Sequence, residues 1–82
     1  MIVMSVELQD DLYVKIYDLD KVINGKKFTL EDFRKDNWHE FKYIDKVLEL
    51  KTYDNGESLL VALCIDGVII DSDSIPDREV NL

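Results

Sequence analysis

Two dipeptides, Asn55-Gly56 and Asp66-Gly67, constrain this chain more than any other feature. Tight β-hairpin loops need positive φ at their central residues, which Asn, Asp and Gly adopt readily, so each pair predicts a hairpin. Together they divide residues 43–71 into three strand-like runs, Tyr43–Tyr53, Ser58–Ile65 and Val68–Asp71. Two-residue loops would set Thr52 opposite Leu59, Leu50 opposite Val61, Leu48 opposite Leu63, Ile65 opposite Val68 and Leu63 opposite Ile70. Directly opposite residues share a face. Leu48, Leu50, Leu59, Val61, Leu63, Ile65, Val68 and Ile70 are therefore expected on the core side. The other face carries Tyr43, Asp45, Val47, Glu49, Lys51, Tyr53, Leu60, Ala62, Cys64 and Ile69. That mixture is too apolar for a face meant only for water, and it predicts either cover by a loop or tail, or a contact surface.

Upstream, residues 2–8 alternate with Ile2, Met4, Val6 and Leu8 on one side. Residues 12–19 alternate again, with Leu12, Val14 and Ile16 against Tyr13, Lys15 and Tyr17. The polar Gln9-Asp10-Asp11 between them predicts a further hairpin. Asp18 to Lys27 reads as a connection with a turn at Asn24-Gly25. A helix then begins at Thr29, the N-cap, with Asp32 approximating a capping box and Phe28 and Phe33 placed as a hydrophobic staple. Leu30, Phe33, Asn37 or Trp38, and Phe41 recur at helical spacing, but Asp36-Asn37 weakens the middle, so the helix either runs about a dozen residues or stops near Asn37 with a turn around Trp38-His39. The expected fold is α+β, in the order β-β-α-β-β-β, with a mainly antiparallel sheet of about five strands and the helix on one face. Residues 1–71 form its single domain. Residues 72–82 form an acidic tail, irregular or laid on the sheet by Ile75, Val80 and Leu82. No internal repeat, heptad or low-complexity segment is present.

Formal net charge is −8 over 82 residues. Residues 1–20 contribute −4, residues 21–42 +2, residues 43–70 −3 and residues 71–82 −3. This balance opposes direct binding to a phosphate backbone, which takes clustered Lys and Arg, and favours encounter with a basic protein. No apolar run reaches the ~20 residues of a membrane span. The first residues lack the pattern of a signal peptide. A single cysteine excludes an internal disulfide and points to a reducing cytoplasm.

Catalytic and metal signatures are missing from the sequence. Asp71-x-Asp73 with Asp77 and Glu79 fails as a calcium loop, since Ile75 and Pro76 stand where an oxygen ligand and glycine are needed. His39 has no evident nucleophile partner, and Cys64 sits in an apolar run where thiols are usually inert. The expectation is a non-enzymatic protein with no cofactor and no metal. Two binding modes follow. In the first, the carboxylates of Asp10, Asp11, Asp18, Asp20, Asp54, Glu57, Asp71, Asp73, Asp77 and Glu79 offer phosphate-like charge to a basic, nucleic-acid-handling partner and inhibit it. In the second, the uncovered sheet face bearing Tyr13, Tyr17, Tyr43, Tyr53, Leu60 and Ile69 makes a homodimer or larger assembly. Trp38 marks an aromatic cluster and a probe of binding if exposed. In size and acidity the chain is similar to phage-encoded DNA mimics and nuclease immunity proteins, an analogy of type carried by no family motif.

Overall fold

A computed structural model describes residues 3–80. Its strands are β1 (Met4–Leu8), β2 (Tyr13–Asp18), β3 (Lys21–Lys27), β4 (Asn37–Tyr43), β5 (Lys46–Asp54), β6 (Ser58–Ile65) and β7 (Val68–Pro76). A five-residue helix α1 (Leu30–Arg34) joins β3 to β4, and one 3-10 turn (Asp77–Glu79) follows β7. The class is α+β, but the single five-stranded sheet is replaced by two antiparallel meanders, β1-β2-β3 and β4-β5-β6-β7. One core joins them. Met4, Val6, Leu8, Leu12, Val14 and Ile16 meet Leu48, Leu50, Leu59, Val61, Leu63, Ile65 and Ile75 in it, with Phe28 and Phe33 at the helix end.

The two sheets adjoin along β1 and β7 without a shared ladder. The amides of Val6 and Leu8 donate to the carboxylates of Asp71 and Asp73, each at 2.8 Å. The spatial order is thus β3-β2-β1 beside β7-β6-β5-β4, with α1 bridging the outer strands β3 and β4.

The helix start is as expected. Thr29 caps it, the reciprocal bonds with Asp32 form a capping box, and the Phe28 and Phe33 rings meet edge to face at 6.2 Å. The helix ends at Arg34, far short of a dozen residues and a few residues before the expected stop near Asn37. Asp36 takes a left-handed φ of 52° and turns the chain out of the helix. Trp38, His39 and Phe41 therefore lie on β4, whose inward residues are Asn37, His39, Phe41 and Tyr43.

Five further expectations are corrected. Residues 21–27 are strand β3, not a connection, and residues 72–76 continue β7 instead of starting a tail. The run Tyr43–Tyr53 is broken by a two-residue loop at Ile44-Asp45, so Tyr43 faces the core side with Leu48. The β5–β6 register is displaced by two residues: Leu48 pairs with Ile65, Leu50 with Leu63 and Thr52 with Val61. Asn55 causes this. Its side-chain oxygen accepts the amides of Glu57 (2.9 Å) and Ser58 (2.8 Å), widening the loop beyond two residues. A shift of two keeps every side chain on its expected face. Finally, Ile65 does pair with Val68, but a bulge then makes Ile70 the extra residue and sets Asp71 opposite Leu63. Val68 and Ile70 are exposed rather than in the core.

Candidate functional site

Three hairpin tips and Val3 gather at one end of the molecule. The tips are Leu19-Asp20, closed by the pair Asp18–Lys21; Ile44-Asp45, closed by Tyr43–Lys46; and Asp66-Gly67, closed by Ile65–Val68. The Leu19 amide donates to the Val3 carbonyl (2.8 Å), and the Tyr43 hydroxyl donates to the Asp18 carboxylate (2.8 Å), which ties the first two tips together. That bond, with partial desolvation, raises the Tyr43 pKa. A cavity of about 230 Å³ lies between the first two tips, walled by Val3, Met4, Leu19, Tyr43, Ile44 and Lys46.

Large exposed apolar side chains concentrate here. Nine are found among the described residues, and every one except Trp38 lies at or next to these tips: Val3, Leu19, Val22, Ile44, Val47, Val68, Ile69 and Ile70. Ile44 is the extreme case at 83% exposed, and Leu19 is 67% exposed.

The backbone makes this arrangement costly. Leu19 has φ 56° and Ile44 φ 59°, while Asp20 and Asp45 keep negative φ. Positive φ at only the first loop residue is the pattern of a type II′ turn, where glycine is favoured. A left-handed conformation costs an L-residue roughly 1–2 kcal/mol and is rarer still for a β-branched one. The third tip shows the inexpensive solution, Asp66 and Gly67 at φ 52° and 77°. Two tips thus hold aliphatic side chains in water at positions where a glycine would avoid the backbone strain. Such strain at an exposed site is a pointer to function.

The chain carries a signal for this end. Leu19-Asp20-Lys21-Val22 recurs as Ile44-Asp45-Lys46-Val47, each placing an aliphatic residue at positive φ and an exposed valine at the base of the tip. The sequence reading missed this repetition because neither tip contains Asn or Gly.

The ten acids singled out above do not form one surface. Asp18 and Asp20 border the apolar pole. Asp10, Asp11, Asp54, Glu57, Asp77 and Glu79 collect at the opposite end, where the Asp77 amide donates to the Glu57 carbonyl (3.1 Å). Asp11 and Asp54 brace their own loops by accepting the amides of Tyr13 and Gly56. Asp71 and Asp73 are engaged internally on β1.

The six residues of the expected dimer face are likewise divided. Tyr53, Leu60 and Ile69 share the outer face of the four-stranded sheet with Trp38, which is 57% exposed. There Lys51 Nζ stands 5.7 Å from the Trp38 ring and 4.7 Å from the Tyr53 ring. Tyr13 and Tyr17 lie on the outer face of the other sheet, where the Tyr17 hydroxyl donates to Glu7. Tyr43 faces inward.

His39 and Cys64 stand apart from one another. His39 Nε2 lies 3.3 Å from Thr52 Oγ1, and Thr52 spends its one hydroxyl proton on the Asp32 carbonyl (2.9 Å). His39 is therefore the donor, with the proton on Nε2. Burial, helped by Lys26, lowers the His39 pKa against a smaller opposing pull from Asp32. Burial and the Glu49 carboxylate push the Cys64 thiol up, which holds it protonated. No group of three metal-ligating side chains is assembled among the described residues. Nor is any helix there long and apolar enough to cross a membrane.

Fold and pole together define a small two-sheet α+β protein that presents an apolar surface on its hairpin tips. Comparison with protein families, characterised proteins and solved structures returns no match.

Proposed function

We propose that this is a non-enzymatic binding protein that docks its apolar pole on a protein partner. The observation that carries this reading is the pair Leu19 and Ile44, exposed aliphatic residues held at strained glycine-type positions. Exposed apolar patches rimmed by polar residues mark interaction sites. Here the rim holds Asp18, Asp20, Asp45 and Asp66 against Lys21 and Lys46, and the whole chain carries −8. A basic partner surface fits that rim, and overall charge would hasten the encounter. Where such a partner handles nucleic acid, occupation of its basic surface makes the chain an inhibitor. The buried, unpaired Cys64 supports a reducing compartment such as the cytoplasm.

The test is capture from native host extract by the wild-type chain and by the double variant Leu19→Gly, Ile44→Gly. The variant should fold and lose the partner, and the wild-type association rate should fall as salt rises. Equal recovery by both proteins would remove the pole from the account. A second reading, self-assembly through the outer sheet face, is favoured by the alignment of Trp38, Lys51, Tyr53 and Leu60. Light scattering distinguishes it, because a dimer dissociated by Tyr53→Asp but not by Ile44→Gly places the contact on the sheet.

A further inference from the structure

Every outer strand in a β protein presents unpaired amides and carbonyls, and natural proteins blunt or cover such edges. Two of the outer edges here are dealt with. β1 has its outward amides filled by Asp71 and Asp73. β3 is interrupted by a bulge opposite Ile16 and Tyr17, and its Gly25 lies under the Tyr13 ring.

β4 is different. It pairs with β5 one to one from Asn37 to Tyr43, with no bulge, proline or glycine. Tyr43 and Lys46 close a two-residue loop, and such a closing pair exchanges both of its backbone bonds. The alternation of an antiparallel ladder then turns the N–H and C=O groups of Lys42, Glu40 and Trp38 away from β5, toward the gap facing β3. No other backbone group among the described residues bonds to them.

A cleft of about 180 Å³ opens along the same gap, reaching Val14, Ile16 and Leu50 between walls of Phe28, His39 and Phe41. It has room for one bulky side chain. Its charged lining is Lys26 and Glu40, and Lys26 Nζ sits 5.3 Å from the Phe28 ring centroid. Lys42 lies on the edge itself, and Lys51 stands beside Trp38. Three lysines thus stand along this edge against Glu40 and its cross-strand neighbour Glu49, and residues 21–42, which hold two of those lysines, carry +2 against −8 overall.

We infer that the open edge of β4 receives an extended, acidic segment of a partner protein as an added strand, with one bulky apolar side chain of that segment seated in the cleft against Phe41 and the touching rings of Phe28 and His39. Main-chain bonds to Trp38, Glu40 and Lys42 give the affinity, and the cleft reads alternate side chains. An acid opposite Lys42 is favoured, and one opposite Glu40 is disfavoured by like charge. A second copy of this chain paired edge to edge about Glu40 would bring two Glu40 carboxylates together, so a separate partner is the better occupant. This inference does not rest on the apolar pole.

The experiment selects displayed random peptides of about ten residues against the full chain at low salt, and titrates the synthesised winners into labelled protein. The winners should be acidic with one bulky apolar residue. They should slow amide exchange at Trp38, Glu40 and Lys42 by about tenfold or more, and shift the ring signals of His39, the chain's single histidine. Proline is tolerated on an edge where its missing N–H faces outward. Glu40→Pro should therefore fold and lose the peptide, and Lys26→Glu should weaken binding while leaving exchange in β5 and β6 unchanged. An empty selection, basic winners, binding indifferent to Glu40→Pro, or unfolding of Glu40→Pro would each overturn the assignment. So would a dimer in which these amides are already protected.

Discussion

Exchanging Ile44 for glycine should leave the fold about as stable as it is, although an aliphatic side chain is deleted. Three contributions decide this. Relief of the left-handed backbone returns about 1–2 kcal/mol. Glycine adds unfolded-state freedom that offsets about 0.5–1 kcal/mol of it. Full burial of an isoleucine side chain is worth about 1.5–3 kcal/mol. With Ile44 83% exposed, less than a fifth of that, about 0.3–0.5 kcal/mol, is at stake. The net change lies between a loss of about 0.5 and a gain of about 1 kcal/mol, within a few degrees of the wild-type Tm for a domain this small. A packed isoleucine would behave otherwise: truncation in a core costs about 2–5 kcal/mol and lowers Tm by tens of degrees. Thermal unfolding followed by circular dichroism, backed by urea titration, separates the outcomes. A loss above about 2 kcal/mol would show that Ile44 supports the fold, and the argument from strain to docking would fail with it.

Other perturbations report on the seam and on His39. Asp73→Ala leaves the Leu8 amide without its acceptor and should cost about 1–3 kcal/mol, with Asp71→Ala similar at Val6 and the asparagine variants milder, all read by urea unfolding. Deletion of Ile70 should remove the bulge while leaving Asp71 opposite Leu63, Asp73 opposite Val61 and Ile75 opposite Leu59, so that unfolding stays cooperative, and Ile70→Ala should change stability by less than about 1 kcal/mol. Because the folded-state pKa of His39 is lowered, the unfolded chain binds the proton more readily, and the stability His39 contributes is present above about pH 6.5 and lost as pH falls below it. Wild-type stability measured from pH 7.5 to 5 should therefore decline more steeply than that of His39→Gln; parallel curves would contradict the placement of the ring.

What was legible in the chain was local. The Thr29 cap, the Phe28–Phe33 staple and the Asp66-Gly67 turn each depend on residues a few positions apart, and each is realised. Face assignment on β5 and β6 also survived, because a register error of two is invisible to a period of two. Where two periods competed, the reading failed. Trp38 and Phe41 fit helical spacing with Leu30 and Phe33, yet Asp36 breaks the helix and His39, Phe41 and Tyr43 follow strand spacing instead. Asn24-Gly25 resembles a turn, but Gly25 lies inside β3, where a Cβ would come within 2.5 Å of the Tyr13 hydroxyl. The apolar pole was the least legible feature, because Leu19 and Ile44 occupy turn positions that turn chemistry assigns to other residues. A surface built against local preference is hidden from rules that assume local preference.

The bulge at Ile70 explains why charge counted along the chain overstated the charge available to a partner. Regular pairing beyond Cys64–Ile69 would give Leu63 to Ile70 and turn Asp71 and Asp73 outward, as members of an acidic surface. The extra residue reverses that parity, so Asp71, Asp73 and Ile75 take the side of Leu63, Val61 and Leu59. Carboxylates on that side would be costly in a central strand, where nothing could pair them. β7 borders β1 instead, and residues two apart on any strand stand at one common spacing of about 6.6–6.8 Å. Asp71 and Asp73 therefore match Val6 and Leu8 amide for carboxylate. Because a side chain rather than a carbonyl makes the bond, the two sheets join without merging into one. Asp71 and Asp73 are thus spent on closing the fold, while the aliphatic side chains of Leu19 and Ile44 at the tips stay in solvent.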